Sequence, residues 1–149
     1  MIPPFADYIH TLARAAERYN RQAFRQAGLR GSHGDYIRTV CRNPGLSQEE
    51  LVDYVGVNKS NVARSLAQLE REGYVERRES TSDRRRVLVY PTDRAYELLP
   101  LIVDIQSDWR AVLTEGFSPE EREQFAELLQ RAVENTQRHA SGDDEEELF

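Results

Sequence analysis

The tightest constraint on this fold is a gap of three residues. Two short amphipathic segments, one starting near Ser47 and one running toward Gly73, are separated only by Gly56-Val57-Asn58. Ser47 followed three residues later by Glu50 is a capping box, in which the serine oxygen and the glutamate carboxylate each satisfy the other's unpaired backbone N–H. Leu51 and Val55 then form a buried stripe, Gly56 closes the helix and Asn58 is suited to cap the next one. Two helices joined so tightly must cross at a steep angle, as in a helix-turn-helix. In the second helix Val62, Leu66 and Leu69 lie on one side and Ser60, Asn61, Arg64, Ser65 and Gln68 on the other.

The flanking segments extend the pattern. Phe5, Tyr8, Ile9, Leu12, Ala16, Tyr19 and Ala23 recur at steps of three and four, the stripe of a helix ending near Gly28. A shorter helix around Asp35 to Cys41 is stopped by Asn43-Pro44-Gly45. After Gly73, Tyr74 to Arg78 and Arg85 to Tyr90 read as two strands around the polar Ser80-Thr81-Ser82-Asp83 loop, a hairpin with arginines at its tip. Thr92 precedes a long helix striped by Ala95, Leu98, Leu99, Ile102, Ile105, Trp109 and Val112, which Pro100 should kink. Ser118-Pro119-Glu120-Glu121 is a second capping box, opening a helix that carries Phe125, Leu128, Leu129, Ala132 and Val133.

The expected fold is therefore mainly α with a small β-hairpin wing, a winged helix-turn-helix over 32–91 joined to a helical module built from 5–27 and 93–137. The outer helices carry wider apolar stripes than a small core needs, so they are expected to pack as a dimerisation module through Phe5, Tyr8, Ile9, Leu12, Phe125, Leu128 and Leu129. Residues 138–149 end in Asp143 to Glu147, an acidic tail expected to be disordered.

Charge separates the chain further. Of a net −6, the stretch Asn58 to Tyr90 carries eight positive and five negative residues, a local +3, which leaves −9 for the remainder. A basic island in an acidic chain points to a polyanionic partner for that island alone. No apolar run approaches the roughly 20 residues of a membrane span, and Met1 to His10 lacks the basic flank and apolar core of a signal segment, so no membrane partner and a cytoplasmic location are expected. The single cysteine, Cys41, and three scattered histidines, His10, His33 and His139, show no metal-ligand spacing. Cys41 reads as a small buried hydrophobe. With no nucleophile beside a base and no phosphate-cradling glycine loop, neither an enzyme nor a cofactor is expected.

The run Pro44 to Thr92, PGLSQEELVDYVGVNKSNVARSLAQLEREGYVERRESTSDRRRVLVYPT, resembles the MarR family of multiple-antibiotic-resistance-type regulators. Its most specific pieces are L-x-x-L-E-R-E-G-Y-V-E-R, from Leu66 to Arg77, and Asp83-Arg84-Arg85. The resemblance implies a homodimeric, sequence-specific regulator, a repressor of a palindromic operator on double-stranded DNA, released by a small aromatic or phenolic effector. It implies recognition helices in successive major grooves and wings over the adjacent minor grooves. On that reading Ser60, Asn61, Arg64 and Ser65 meet base edges and phosphates, Arg64 being the expected guanine reader, and Lys59 touches phosphate. Arg85 enters the minor groove, Arg84 and Arg86 add phosphate contacts, and Asp83 orients an arginine. An effector crevice would draw on His33, Tyr36, Arg38 and Trp109.

Overall fold

The computed structural model describes residues 4–30, 33–55 and 59–146. Nine elements follow in order: α1 (Phe5–Gln26), α2 (His33–Arg42), β1 (Leu46–Ser47), α3 (Gln48–Val55), α4 (Lys59–Arg71), β2 (Val75–Glu79), β3 (Val87–Pro91), α5 (Asp93–Leu113) and α6 (Pro119–Glu146). The Gly56-Val57-Asn58 turn and the Asn58 cap lie outside the described residues, though α3 and α4 end and begin on either side of it.

The chain divides into two units, Met1–Trp109 and Arg110–Phe149. In the first, Leu51 of α3, Val62, Leu66 and Leu69 of α4, Val75 and Val89 of the hairpin, Ala95, Ile102 and Ile105 of α5, and Phe24, Tyr36, Ile37 and Val40 of α1 and α2 form one continuous core. Each large aliphatic side chain withdrawn from water there contributes about 1.5–3 kcal/mol. A close approach fixes α2 against α1. A Cβ on Gly34 would lie only 2.4 Å from the Phe24 ring, so the glycine is what lets that ring seat on the first turn of α2. Helix α4 ends as expected at Gly73, whose φ of +82° lets Tyr74 N–H return to the Leu69 carbonyl at 2.9 Å.

The sheet departs from the expected hairpin in two ways. It has three strands in the order β1-β3-β2, because Leu46 pairs with Val89 and Ser47 with Leu88. The hairpin strands also begin later than expected, at Val75 and Val87, and reach Pro91, with Val75 opposite Pro91 and Glu79 opposite Val87. Arg85 and Arg86 thus sit in the loop rather than in β3. Pro91 is tolerated as the last residue of its strand, where its missing N–H costs no ladder bond. Helix α5 continues through Pro100 as a single helix.

In the second unit the Ser118 box closes in both directions: Glu121 N–H donates to Ser118 Oγ at 3.1 Å and Ser118 N–H to Glu121 Oε1 at 2.9 Å. Hydrogen bonding to the Glu121 carboxylate from Ser118, first from its backbone N–H and then from its side chain, holds that carboxyl below its ordinary pKa of 4.5. Phe117 meets Phe125 edge to face at 5.7 Å. The backbone of α6 stays helical to Glu146, beyond the boundary at 137 set from composition. Asp and Glu residues repel one another but do not forbid helical φ and ψ, and no proline follows Pro119 to end the helix.

Candidate nucleic-acid interface

Helix α4 presents the polar face read from its sequence. Lys59, Ser60 and Arg64 are exposed, whereas Asn61 and Ser65 are half-buried on the side nearer α2. Arg64 donates to Asn61 Oδ1, one turn earlier, which holds its guanidinium along the helix surface while the rest of its donor fork remains outward. Lys59 reaches Glu49 at 3.3 Å across the mouth of the turn. Both partners are well exposed, so that pair contributes little and yields readily to a phosphate. Ser65 hydrogen-bonds Tyr36, a bond that opposes the upward push which burial gives the Tyr36 phenol.

The hairpin sorts its arginines into held and unheld groups. Arg77 is pinned to Glu70, whose carboxylate takes its guanidinium at 3.1 Å and its backbone N–H at 2.9 Å and is held below the usual range by those bonds. Arg78 pairs with Glu76 at 2.7 Å and lies 4.5 Å from the centre of the Tyr90 ring. Arg86 is bound to the Glu50 carboxylate of α3. Arg84 and Arg85 are exposed and form no ion pair among the described residues.

Asp83 acts on the wing through the backbone. Its Oδ1 accepts the backbone N–H of Arg85 at 3.0 Å, and its own N–H donates to Ser80 Oγ at 3.3 Å. With Ser80 N–H on the Arg86 carbonyl at 3.0 Å and Arg86 N–H on the Asp83 carbonyl at 3.0 Å, this shapes the loop. An aspartate there fixes the backbone and so the directions in which Arg84 and Arg85 leave it. Glu50 does not complete the Ser47 box as expected. Glu50 N–H does donate to Ser47 Oγ at 3.1 Å, but the carboxylate goes to Arg86.

Beside α4 lies an open cleft of about 410 Å³, lined by Arg30, His33 and Tyr36 on one side and Asn61, Arg64, Ser65 and Gln68 on the other. Sequence reasoning passed over Arg30 and placed the start of α2 near Asp35, whereas the helix begins at His33, with Gly34 in its first turn against Phe24. His33 is only 8% exposed, its Nδ1 is buried with no hydrogen-bond partner among the described residues, and burial lowers its pKa against the raising pull of Glu72. Its ring meets Tyr36 edge to face at 6.4 Å.

The four residues assigned to an effector crevice do not converge. Arg38 lies 3.8 Å from Asp35, and Gln106 of α5, with its amide oxygen turned toward Arg38, accepts two bonds from it at 2.9 and 3.0 Å. Trp109 packs on Tyr19 at 5.3 Å. Neither lines the cleft that His33 and Tyr36 share.

The expected dimer residues are mostly uncovered within the chain. Phe5, Tyr8, Ile9 and Leu12 of α1 are exposed, as are Leu128 and Leu129 of α6, while Phe125 is half-buried against Phe117. Cys41 is buried, and burial raises its thiol pKa. Among the described residues no group of three or more His, Cys, Asp or Glu could hold a metal, and no helix is long and apolar enough to cross a membrane.

Known proteins resemble this chain in sequence and fold. The model of the MarR family matches residues 27–86, which holds the cleft wall, both helices of the helix-turn-helix and the wing tip. The HTH-type transcriptional regulator YybA of Bacillus subtilis (strain 168) is 26% identical over 130 residues, 87% of each protein. Among solved structures, a MarR transcriptional regulator from Methanosarcina mazei Go1 is 28% identical with a TM-score of 0.83, covering 90% of this chain and 96% of that one. A MarR-family transcriptional regulator from Listeria monocytogenes, complexed with a 26mer DNA, is 27% identical with a TM-score of 0.81, covering 91% and 89%.

Proposed function

We propose that the chain is a transcriptional regulator of the MarR family, to whose model residues 27–86 match, and that it binds a palindromic operator in double-stranded DNA as a homodimer and represses the genes beside it. One observation carries the reading. The exposed face of α4, with Ser60 and Arg64 outward, and Arg84 and Arg85 at the hairpin tip, which form no ion pair among the described residues, leave hydrogen-bond donors and positive charge open to a partner on adjoining elements of an otherwise acidic chain.

A recognition helix enters a major groove, where Arg64 can offer two donors to guanine O6 and N7 and Ser60, Asn61 and Ser65 can meet neighbouring edges or phosphates. Lys59 and Arg84 neutralise phosphates, and Arg85 reaches the minor groove. The related Listeria protein was crystallised with a DNA duplex, which supports this use of the same fold. Two copies related by a two-fold axis place their helices about 34–36 Å apart, one turn of DNA. The uncovered apolar residues of α1 and of α6 are suited to the self-complementary contact that such symmetry requires. A cytoplasmic location belongs to the same proposal, and so does release by a small aromatic or phenolic effector. Such a ligand loosens the complex only by its differential affinity for the bound and free conformations.

Binding measured on a selected duplex and on random DNA tests the assignment. Arg64→Ala is expected to weaken the selected duplex by about 1–3 kcal/mol and random DNA far less, while Arg85→Ala weakens both and reduces the salt dependence. Equal losses on both duplexes for Arg64→Ala would remove it from base reading. A chain that stays monomeric at micromolar concentration would remove the dimer.

A further inference from the structure

We propose that Arg30 and His33, at the start of α2, clamp one backbone phosphate of each half-site alongside the strand that α4 reads. The proposal rests on the DNA-binding reading above and adds to it a contact outside both the recognition helix and the wing. The cleft joins the two α2-side residues to Asn61, Arg64, Ser65 and Gln68 of α4, so anything lodged there adjoins the base-reading face. Two guanidinium groups line it and no carboxylate does. Glu72, the acid that acts electrostatically on His33, is engaged by Gln68 Nε2 at 2.7 Å.

The chemistry of the walls selects the occupant. Sites for small organic ligands are mostly apolar and enclosed, whereas this cleft is open, and its walls are arginine, amide, hydroxyl and imidazole. A phosphodiester suits it: a compact anion with several acceptor oxygens and no apolar body to bury. His33 is held in place by burial and by its edge contact with Tyr36, and its Nδ1 is sealed from solvent with no hydrogen-bond partner among the described residues. That leaves Nε2 as the nitrogen able to donate into the cleft. Arg30, exposed at the rim, supplies the charge.

The test uses the full-length protein and a duplex that the wild type enriches from a randomised pool, with single phosphates replaced one at a time by neutral methylphosphonates. One position per half-site should weaken the wild type about tenfold, the scale of a charge-assisted contact. Arg30→Gln, an exposed change, should lose about the same factor, lower the salt slope by about one for each half-site, and become insensitive to that position alone. His33→Gln should show a partial form of the same insensitivity. If Arg30→Gln keeps wild-type affinity and salt slope on a duplex the wild type binds, the clamp is refuted and the regulator reading stands. If millimolar benzoate shifts the His33 ring signals in NMR and no backbone position responds to Arg30→Gln, the cleft belongs to a small carboxylate and the clamp is likewise refuted. A wild type that enriches no duplex at all would bring down both.

Discussion

The chain writes the same four-residue instruction twice and folds it in two ways. Ser118 and Glu121 close a reciprocal box around the start of α6, entirely within four residues. At the start of α3, Ser47 makes its half of the box, but Glu50 turns away and takes Arg86, 36 residues further along. The difference lies in what surrounds each motif. Among the described residues nothing basic is bound to the exposed Glu121, so local bonding decides. Ser47 is buried in β1 and paired with Leu88, which brings the base of the wing to the first turn of α3. A guanidinium there offers the carboxylate a charged donor in place of a neutral N–H. The second box secures a helix; the first also ties the wing to the helix-turn-helix.

The largest consequence falls on Ser47. Ser47→Ala leaves the Glu50 N–H unpaired beside a buried strand and should cost up to about 2 kcal/mol, the upper end for loss of an N-cap. Denaturant unfolding would show it as a lower midpoint at unchanged slope. Ser118→Ala removes a cap whose orphaned N–H can turn to water, and should cost about 0.5–1 kcal/mol. If the two losses are equal, the buried setting of the first box adds nothing and the contrast fails.

These same sites show what could be read from one dimension and what could not. Periods of three and four residues located α1, α4, α5 and α6 because each carries an apolar stripe at helical spacing, whether the chain covers it or not, and the Ser-x-x-Glu pattern set two helix starts because capping is local. Strand β1 escaped because two residues are too short for alternation to register, and its reason for being extended is Val89 and Leu88, over forty residues away. The wing strands were set a residue or two early because Arg85 and Arg86 resemble strand ends until Asp83 is seen shaping the loop. Lys59, Ser60, Arg64, Arg84 and Arg85 are where the sequence placed them, on exposed surface. Arg86 is committed to Glu50, and Arg30 escaped because nothing local marks it: only the fold sets it across the cleft from Asn61, Arg64 and Gln68.

A smaller effect separates the tie from the cap. Glu50→Ala should cost about 0.5 kcal/mol or less in stability, since the Glu50–Arg86 pair is about half exposed on both sides. Its signature lies in DNA binding, because Arg86 is released to neutralise a phosphate and the salt dependence of duplex binding should steepen. A slope that does not move would mean that Arg86 faces away from the duplex, and that its pairing with Glu50 serves the wing alone.

The smallest effect is a titration at the closed box. Hydrogen bonds from Ser118 hold the Glu121 carboxyl below 4.5, so its contribution to helix α6 is complete above that value and is lost as pH falls through the lower folded value. Carbon-detected NMR of the side-chain carboxyl should give a midpoint below 4.5 in the wild type, returned to the ordinary glutamate range in Ser118→Ala. The site is fully exposed, so global stability at neutral pH should not register the titration. An ordinary midpoint in the wild type would mean that the reciprocal box does not persist in solution, and the two Ser-x-x-Glu motifs would then differ only in the arginine that one of them holds.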